Sequence, residues 1–278
     1  MLEIKNLTVK VKNDTPILTD VSLSIDEGTC IGLTGASGSG KTTLIKSIMG
    51  MNSGDLEIAQ GQILLDGDNL LIHGAKERRA LCGKTIGFIP QNPMTAFFPH
   101  AKMERQIIET LRMHTGLDKK QAHALAENVL RQVNLTDTKR VLSAYPGELS
   151  GGMLQRIAMA LILGTKPKYV LADEPTSALD EANRDLLLEL LRKYQKTAAI
   201  LFISHDTEAM KALGKTGTFL LRRAGRLVRH DVYPGGYAER QIPSRKASVA
   251  ACRRRRAKYI MIRPYSHSPS VQSVAGDG

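Results

Sequence analysis

The amino-acid sequence predicts an α/β fold in which a parallel sheet carries an antiparallel edge and an inserted helical lobe. A glycine-rich turn joins an apolar strand to a helix over residues 30–49. Two more apolar strands, 169–172 and 198–204, flank an amphipathic helix over 181–194, as expected of a right-handed β–α–β unit. Between these parts lies a mostly helical stretch, residues 91–163.

The antiparallel edge is predicted by alternation near the start of the chain. Residues 2–11 alternate apolar and polar side chains with one slip at Asn6, and residues 21–25 repeat the alternation. Such alternation is typical of strands with one exposed face.

Residues 30–33 are continuously apolar or small, which indicates a buried strand, and the turn that follows leads into a helix over 41–49. In the helical lobe, residues 103–113 and 119–133 carry apolar side chains at three- and four-residue spacing. The sequence therefore divides into one folded domain, residues 1–232 with its lobe at about 91–163, and a tail, 233–278.

The net charge of +12 is uneven along the chain. Residues 240–278 hold nine basic residues and one acid, so they contribute +8 of it. The domain is nearly balanced, and a patch for nucleic-acid phosphates would have to come from the tail. We expect the tail to be a non-catalytic, largely disordered basic segment. A contact of this polybasic segment with anionic lipid or RNA, and sequence read out of frame, remain alternatives.

The composition argues against a disordered or fibrous protein, and the lack of long apolar runs argues against a membrane-spanning one. Hydrophobic residues make up 42% of the chain and charged residues 24%, as in ordinary globular proteins. No run approaches the roughly 18 apolar residues of a membrane span, and the first residues lack a signal-peptide pattern. Three widely spaced cysteines argue against a zinc site. We expect a cytoplasmic protein.

Residues 35–42 match the phosphate-loop pattern G-x-x-x-x-G-K-[ST] at every required position. Its glycines let backbone N–H groups converge on phosphate oxygens at a helix N-terminus. Lys41 is expected to reach the β- and γ-phosphates, and Thr42 to supply a hydroxyl to Mg²⁺. The predicted ATP-binding residues of this loop are Gly35, Ser37, Gly38, Ser39, Gly40, Lys41, Thr42 and Thr43.

A second apolar strand ends in two acids, Asp173 and Glu174. Asp173 is the predicted metal ligand, and Glu174 is predicted to orient or deprotonate the attacking water. Consecutive side chains on a strand point to opposite faces, so both acids serve one site only if the strand terminates there, which Pro175 favours.

At this point the chain resembles the ABC transporter ATPases, because Leu149-Ser150-Gly151-Gly152-Met153 looks like that family's signature motif. The resemblance covers about residues 1–230 and implies a P-loop NTPase core of the RecA-like type. It also implies a dimer in which Ser150, Gly151 and Gly152 face the nucleotide of the other subunit. The motif opens a predicted helix over 153–163, and a helix N-terminus suits a γ-phosphate.

Three further residues follow the family's order of motifs. Gln91 resembles the Q-loop glutamine, which implies contact with Mg²⁺, the attacking water and the membrane subunit. Asp180 resembles the last residue of the D-loop, which links the two nucleotide sites. His205 resembles the switch histidine that contacts the γ-phosphate. The resemblance thus implies catalytic roles for Glu174, His205 and Gln91, and a metal site formed by Thr42, Gln91 and Asp173.

Residues 91–99 and 145–156 look most like those of importers of peptides, nickel and metal chelates. This implies an ATPase with bound ATP and Mg²⁺, peripheral at the cytoplasmic face of the membrane. Its implied partners are integral membrane permease subunits, a second ABC ATPase subunit of the same or a different kind, and, indirectly, an extracytoplasmic solute-binding protein. The alternative is a soluble ABC-type ATPase acting on nucleic acid, but the coiled-coil insertion or second cassette of such enzymes is missing from the sequence. The intact Glu174 and His205 disfavour a purely regulatory nucleotide-binding module.

Two departures from the family pattern matter. Residues 10–16 contain no aromatic side chain to stack on adenine, so the sequence predicts nucleotide binding more firmly than nucleotide preference. The tail holds only Cys252, whereas peptide-importing members often carry four cysteines there, so we expect no iron–sulfur cluster. The sequence does not identify the transported substrate.

Overall fold

The computed structural model describes residues 1–12, 14–213, 217–221 and 225–229. Within these residues the strands are β1 (Leu2–Val11), β2 (Pro16–Ile25), β3 (Cys30–Thr34), β4 (Leu56–Leu65), β5 (Asp68–Asn69), β6 (Ile86–Ile89), β7 (Tyr169–Asp173), β8 (Ala199–Ile203), β9 (Gly217–Leu221) and β10 (Leu227–Arg229). The helices are α1 (Lys41–Met49), α2 (Ala75–Leu81), α3 (Met103–Thr115), α4 (Lys119–Gln132), α5 (Thr138–Ser143), α6 (Gly151–Thr165), α7 (Glu181–Gln195) and α8 (Thr207–Ala212).

The strands form two sheets. The first is antiparallel, with the order β2-β1-β4-β5. The second has the order β10-β9-β3-β8-β7-β6, and all its pairs are parallel except β10 with β9. The predicted α/β class with a parallel sheet and an antiparallel edge is confirmed.

The parallel sheet is buried on both faces, which explains its continuously apolar strands. On β8, Ile200 and Phe202 pack into a core shared with α3, α4, α6 and α7. Leu201 and Ile203 point to the other face, into a core shared with α1 and the antiparallel sheet. Burial of each such side chain is worth about 1.5–3 kcal/mol, so the two cores hold the sheet firmly between two layers.

The helical lobe follows β6 and returns to the sheet through α6. Helices α3, α4 and α5 contact one another, and α6 packs on α3, α4 and β6. The predicted division at residue 232 falls just beyond the last described residue, and the predicted tail, 233–278, lies outside the described residues.

The structure extends the predicted elements and adds others. The strand predicted at 21–25 begins at Pro16, a position at a strand start where a missing N–H is tolerated. The elements β4, β5 and α2 occupy residues 56–81, for which the sequence pattern indicated no element.

Candidate functional site

The register of the parallel sheet brings the ends of four strands to one edge. Leu33 of β3 pairs with Ile203 of β8, and Ile203 pairs with Asp173 of β7. Ala172 in turn pairs with Ile89 of β6. The phosphate loop, Glu174, His205 and Gln91 therefore all follow strands that end at this edge, where ligands of open α/β sheets bind.

The phosphate loop depends on glycine at three positions. Gly38 and Gly40 have φ of 76° and 101°, in the left-handed region that glycine adopts without strain. Gly35 has φ of 154°, and a side chain there would collide with the Leu221 carbonyl oxygen of β9. A Cβ at Gly40 would lie 2.7 Å from the Leu18 side chain. The loop is thus pressed between both sheets at Gly35 and Gly40, where a side chain would collide, whereas at Gly38 it is the positive φ that favours glycine.

Helix α1 begins at Lys41, directly after the loop. Its N-cap, Gly40, offers no side-chain cap, and its first turn contains no acidic residue. The N-terminal N–H groups and the positive end of the helix dipole thus face the loop without a competing anion from the helix itself. This arrangement suits a phosphate group.

Lys41 is 8% exposed, and its ammonium is held over the loop. Its Nζ donates to the carbonyl oxygens of Gly35 at 2.7 Å and Ala36 at 3.1 Å. Burial lowers the pKa of Lys41, while the nearby carboxylates of Glu174 and Asp173 raise it. The only charged side chain inside the loop is therefore already oriented by the backbone.

Thr42 and Asp173 form the direct link between the loop and β7. The Thr42 hydroxyl donates to Asp173 Oδ2 at 2.8 Å, and the Asp173 carboxylate is 4% exposed. Burial raises the pKa of Asp173, and the hydrogen bond from Thr42 opposes that shift. One hydroxyl and one carboxylate beside a phosphate loop are the hard oxygen donors that Mg²⁺ takes from protein when phosphates supply the rest. These residues therefore fit the metal.

Among the described residues there is no group of three or more His, Cys, Asp and Glu side chains that could hold a metal. A site with one carboxylate agrees with Mg²⁺, which is bound by one or two carboxylates together with phosphates and waters.

Glu174 shows how two neighbouring acids serve one site. The strand ends at Asp173, and Glu174 takes φ of 47°, a left-handed conformation that is uncommon for a residue other than glycine. Its N–H still donates to the Ile203 carbonyl at 2.9 Å, which fixes the turn. Backbone of this kind is strained by about 1–3 kcal/mol and is concentrated at functional sites. The turn breaks the strand alternation that would otherwise separate the two carboxylates.

His205 completes the edge. Its Nε2 lies 3.0 Å from Glu174 Oε1, and the Glu174 side chain is 19% exposed while that of His205 is 49% exposed. The pair thus combines a shielded carboxylate with an accessible imidazole, an arrangement suited to orienting water beside a phosphate. Gln91 is exposed and follows β6 by two residues.

The signature segment stands apart from these contacts. Ser150 is the exposed N-cap of α6, and its Oγ accepts a hydrogen bond from the Met153 N–H at 3.2 Å. A Cβ at Gly151 would meet open space, whereas one at Gly152 would lie 3.3 Å from the Ala178 carbonyl. In the described part of the chain, no hydrogen bond or ion pair joins the segment to the phosphate loop.

The structure places Asp180 at the N-cap of α7. Its Oδ1 accepts from the Asn183 N–H at 2.9 Å, and the Asn183 side chain also donates to the carboxylate. These hydrogen bonds lower the pKa of Asp180. The exposed carboxylate therefore shapes the turn after β7, next to the signature segment.

Two residues escaped the sequence reasoning. Arg156 donates to the backbone carbonyls of Gly152, Val133 and Asn134 and so braces the signature segment. Gln155 is buried and bonds to Pro90, next to Gln91. Both stand within the segment compared with the family, but Pro90, Val133 and Asn134 are far from them in sequence.

The sequence profile described as "ABC transporter" matches residues 18–177. The chain belongs to the ABC transporter ATP-binding family. The P-loop core, the ATP-binding function and the ATPase class predicted from the sequence are thereby confirmed.

Relatives and solved structures agree with this membership. The metal-staphylopine import system ATP-binding protein CntD of Staphylococcus aureus is 35% identical over 233 residues, 83% of this chain and 85% of its own length. The dipeptide transport ATP-binding protein DppD of Lactococcus lactis is 35% identical over 212 residues, 74% of this chain and 61% of the relative. Solved structures include the dimeric ABC transporter cassette MJ0796, with a TM-score of 0.72 and 24% identity over 84% of this chain and 100% of that one.

In the described residues, no helix has both the length and the apolar character that a membrane crossing requires.

Proposed function

We propose that the protein is the ATP-hydrolysing subunit of an ABC importer, peripheral at the cytoplasmic face of the membrane and coupled to separate permease subunits. The observation that carries this is the pairing of Thr42 with Asp173 and of Glu174 with His205 at one sheet edge, beside the phosphate loop. Metal, catalytic carboxylate and phosphate functions thus meet in one place.

Nucleotide binding is assigned to the loop and to the start of α1. Backbone N–H groups and the helix dipole hold the phosphates, and Lys41 exchanges its carbonyl partners for the β- and γ-phosphate oxygens. Thr42 and Asp173 would hold Mg²⁺, with Gln91 as a further ligand. When bound, Mg²⁺ would neutralise negative charge that develops on the phosphates during hydrolysis.

Hydrolysis is assigned to Glu174 and His205. Glu174 orients the attacking water and accepts its proton, since its carboxylate is shielded and points to the site edge. His205, whose Nε2 lies 3.0 Å from Glu174 Oε1, is assigned the contact with the γ-phosphate. The left-handed turn at Glu174 keeps this carboxylate beside Asp173 without a loop rearrangement.

The site needs a second ATPase chain, of the same or a different kind. Ser150 and Gly151 are exposed and Gly152 is half-buried at the start of a 15-residue helix. Their N–H groups and hydroxyl are suited to the γ-phosphate of the opposing subunit. We propose that Asp180, beside this segment, links the two sites, and that Thr43 supports the loop on the nucleotide side.

The transported substrate belongs to the class of small peptides and metal chelates. The relatives named above import a metal–staphylopine complex and dipeptides, and CntD matches this chain over most of both lengths. An extracytoplasmic binding protein and the permeases select the cargo. The near-balanced net charge of residues 1–239 does not favour the alternative nucleic-acid partner.

Reconstitution tests this function. The full chain is incorporated into liposomes with the permeases and any second ATPase encoded beside it, together with their binding protein. We expect ATP hydrolysis to rise with loaded binding protein and to disappear in the Glu174→Gln chain. Activation by DNA or RNA, with none by the membrane partners, would refute the importer assignment.

A further inference from the structure

Gln155 is a buried amide in the helix that begins with the signature segment. It is 1% exposed, and its Nε2 donates to the Pro90 carbonyl oxygen at 3.2 Å. Pro90 directly precedes Gln91. The hydrogen bond therefore fixes the backbone from which the Gln91 side chain projects.

Helix α6 carries both the signature segment, at its start, and Gln155. Gln155 lies five residues after Ser150, about 7.5 Å along the helix axis. Helix α6 also packs against β6 and against the 3₁₀ turn Pro93–Ala96, and these two elements flank Gln91. Helix α6 thus contacts the chain on both sides of Gln91, and the same helix begins at the signature segment.

Packing alone does not explain why the Gln155 amide is buried. Gln155 Oε1 has no hydrogen-bond partner among the described residues, and a buried polar atom without a partner is unfavourable. A methionine would fill a similar volume without that penalty. The compensating gain is the bond to the Pro90 carbonyl, which has no helix or strand partner to replace it.

We propose that Gln155 is a positioning residue for Gln91, which couples engagement of the signature segment by the second ATPase chain to the water and metal geometry of this chain's own site. The proposal rests on the function assigned above to Gln91. It adds a regulatory link, because a displaced α6 carries the Pro90 carbonyl and Gln91 away from Asp173 and Glu174.

Hydrogen exchange tests the positioning directly. In the free full-length chain, Gln155→Met removes one buried hydrogen bond and loosens residues 90–92, so amide exchange rises about 2- to 10-fold at Met94 and Thr95, whose N–H groups donate to Asn92. The matched control is Gln106→Met, which removes another buried glutamine of the same lobe. Gln106 bonds to Phe98 and Ala101, so its loss affects residues 98–101 instead. Unchanged exchange at Met94 and Thr95 in Gln155→Met would overturn the proposal.

A double-variant cycle tests the consequence for catalysis. In the reconstituted complex, Gln155→Met lowers kcat while ATP affinity of the isolated chain stays parental. If Gln155 acts through Gln91, the Gln91→Ala/Gln155→Met chain turns over as slowly as Gln91→Ala alone. Additive losses would contradict the proposal. Parental turnover by Gln91→Ala would instead refute the function assigned to Gln91, and the exchange measurement would still decide whether Gln155 positions the loop.

Discussion

The phosphate loop and the signature segment are organised in opposite ways. Around the loop, each reactive side chain has a partner within the chain: Lys41 on loop carbonyls, Thr42 on Asp173, and Glu174 beside His205. In the signature segment, Ser150 is exposed and bonds only to its own helix, and Gly151 faces open space.

This contrast separates binding from turnover. The fold of one chain sets the geometry of the loop, because Gly35 lies against β9 of one sheet and Gly40 lies against β2 of the other. The signature segment is exposed at Ser150 and Gly151, and under the proposed function its partner is a second ATPase chain. One chain should therefore bind nucleotide, and hydrolysis should require two.

The largest effect is expected from a change that blocks ATP hydrolysis and leaves the phosphate loop intact. Replacing Glu174 with Gln keeps the size of the side chain but removes the proton acceptor, so single-turnover cleavage of ATP should fall about 10²- to 10⁴-fold. Nucleotide affinity should stay near the parental value. Glu189→Gln, an exposed carboxylate on α7, is the control. Near-parental cleavage by Glu174→Gln would show that another group is the catalytic base.

The second largest effect is expected when the positive charge of the phosphate loop is removed. Lys41→Ala removes charge-assisted hydrogen bonds worth about 1.5–3 kcal/mol, so ATP affinity should fall about 10- to 150-fold in calorimetric titration of the isolated chain. Lys193→Ala removes an exposed ammonium on α7 and should leave affinity unchanged. If Lys41→Ala binds ATP as the parent does, the phosphate-loop assignment is wrong.

The smallest effect is expected from a change outside both the phosphate loop and the signature segment. Every assigned site residue lies upstream of residue 233, so deletion of 233–278 should change ATPase activity by no more than about twofold. A steady-state assay of the truncated chain, with folding checked by circular dichroism, measures this. A folded chain without activity would assign the tail a function in the site.

The sequence predicted the elements whose patterns are strong. The buried strands β3, β7 and β8 are uniformly apolar, and the phosphate loop has a fixed spacing. Strand β4 escaped because both of its faces are partly exposed and a bulge near Gly61 interrupts its pairing with β1. An alternating pattern cannot be read from such a strand.

The sequence predicted which residues form the candidate site, but not how they pair. Motif spacing identified Glu174 and His205, whereas their 3.0 Å contact depends on the register of β7 with β8. The left-handed turn at Glu174 is imposed by tertiary contacts, since local preference disfavours it. Likewise, Gln155 meets Pro90 across 65 residues, a separation that no local pattern reports.

The most direct test of the shared site mixes two inactive chains. Ser150→Arg should eliminate hydrolysis while the isolated chain binds ATP normally, and Lys41→Ala supplies an intact signature segment on a chain with strongly reduced ATP affinity, assayed at an ATP concentration that leaves its own site largely empty. Sizing checks that mixed pairs form, and in each of them one of the two sites is complete. Random pairing of equal amounts makes half of the pairs mixed, so about a quarter of the parental sites should be restored. Recovery of ATP hydrolysis near that level is the predicted result. Mixed pairs as inactive as either variant alone would contradict a site completed across two chains.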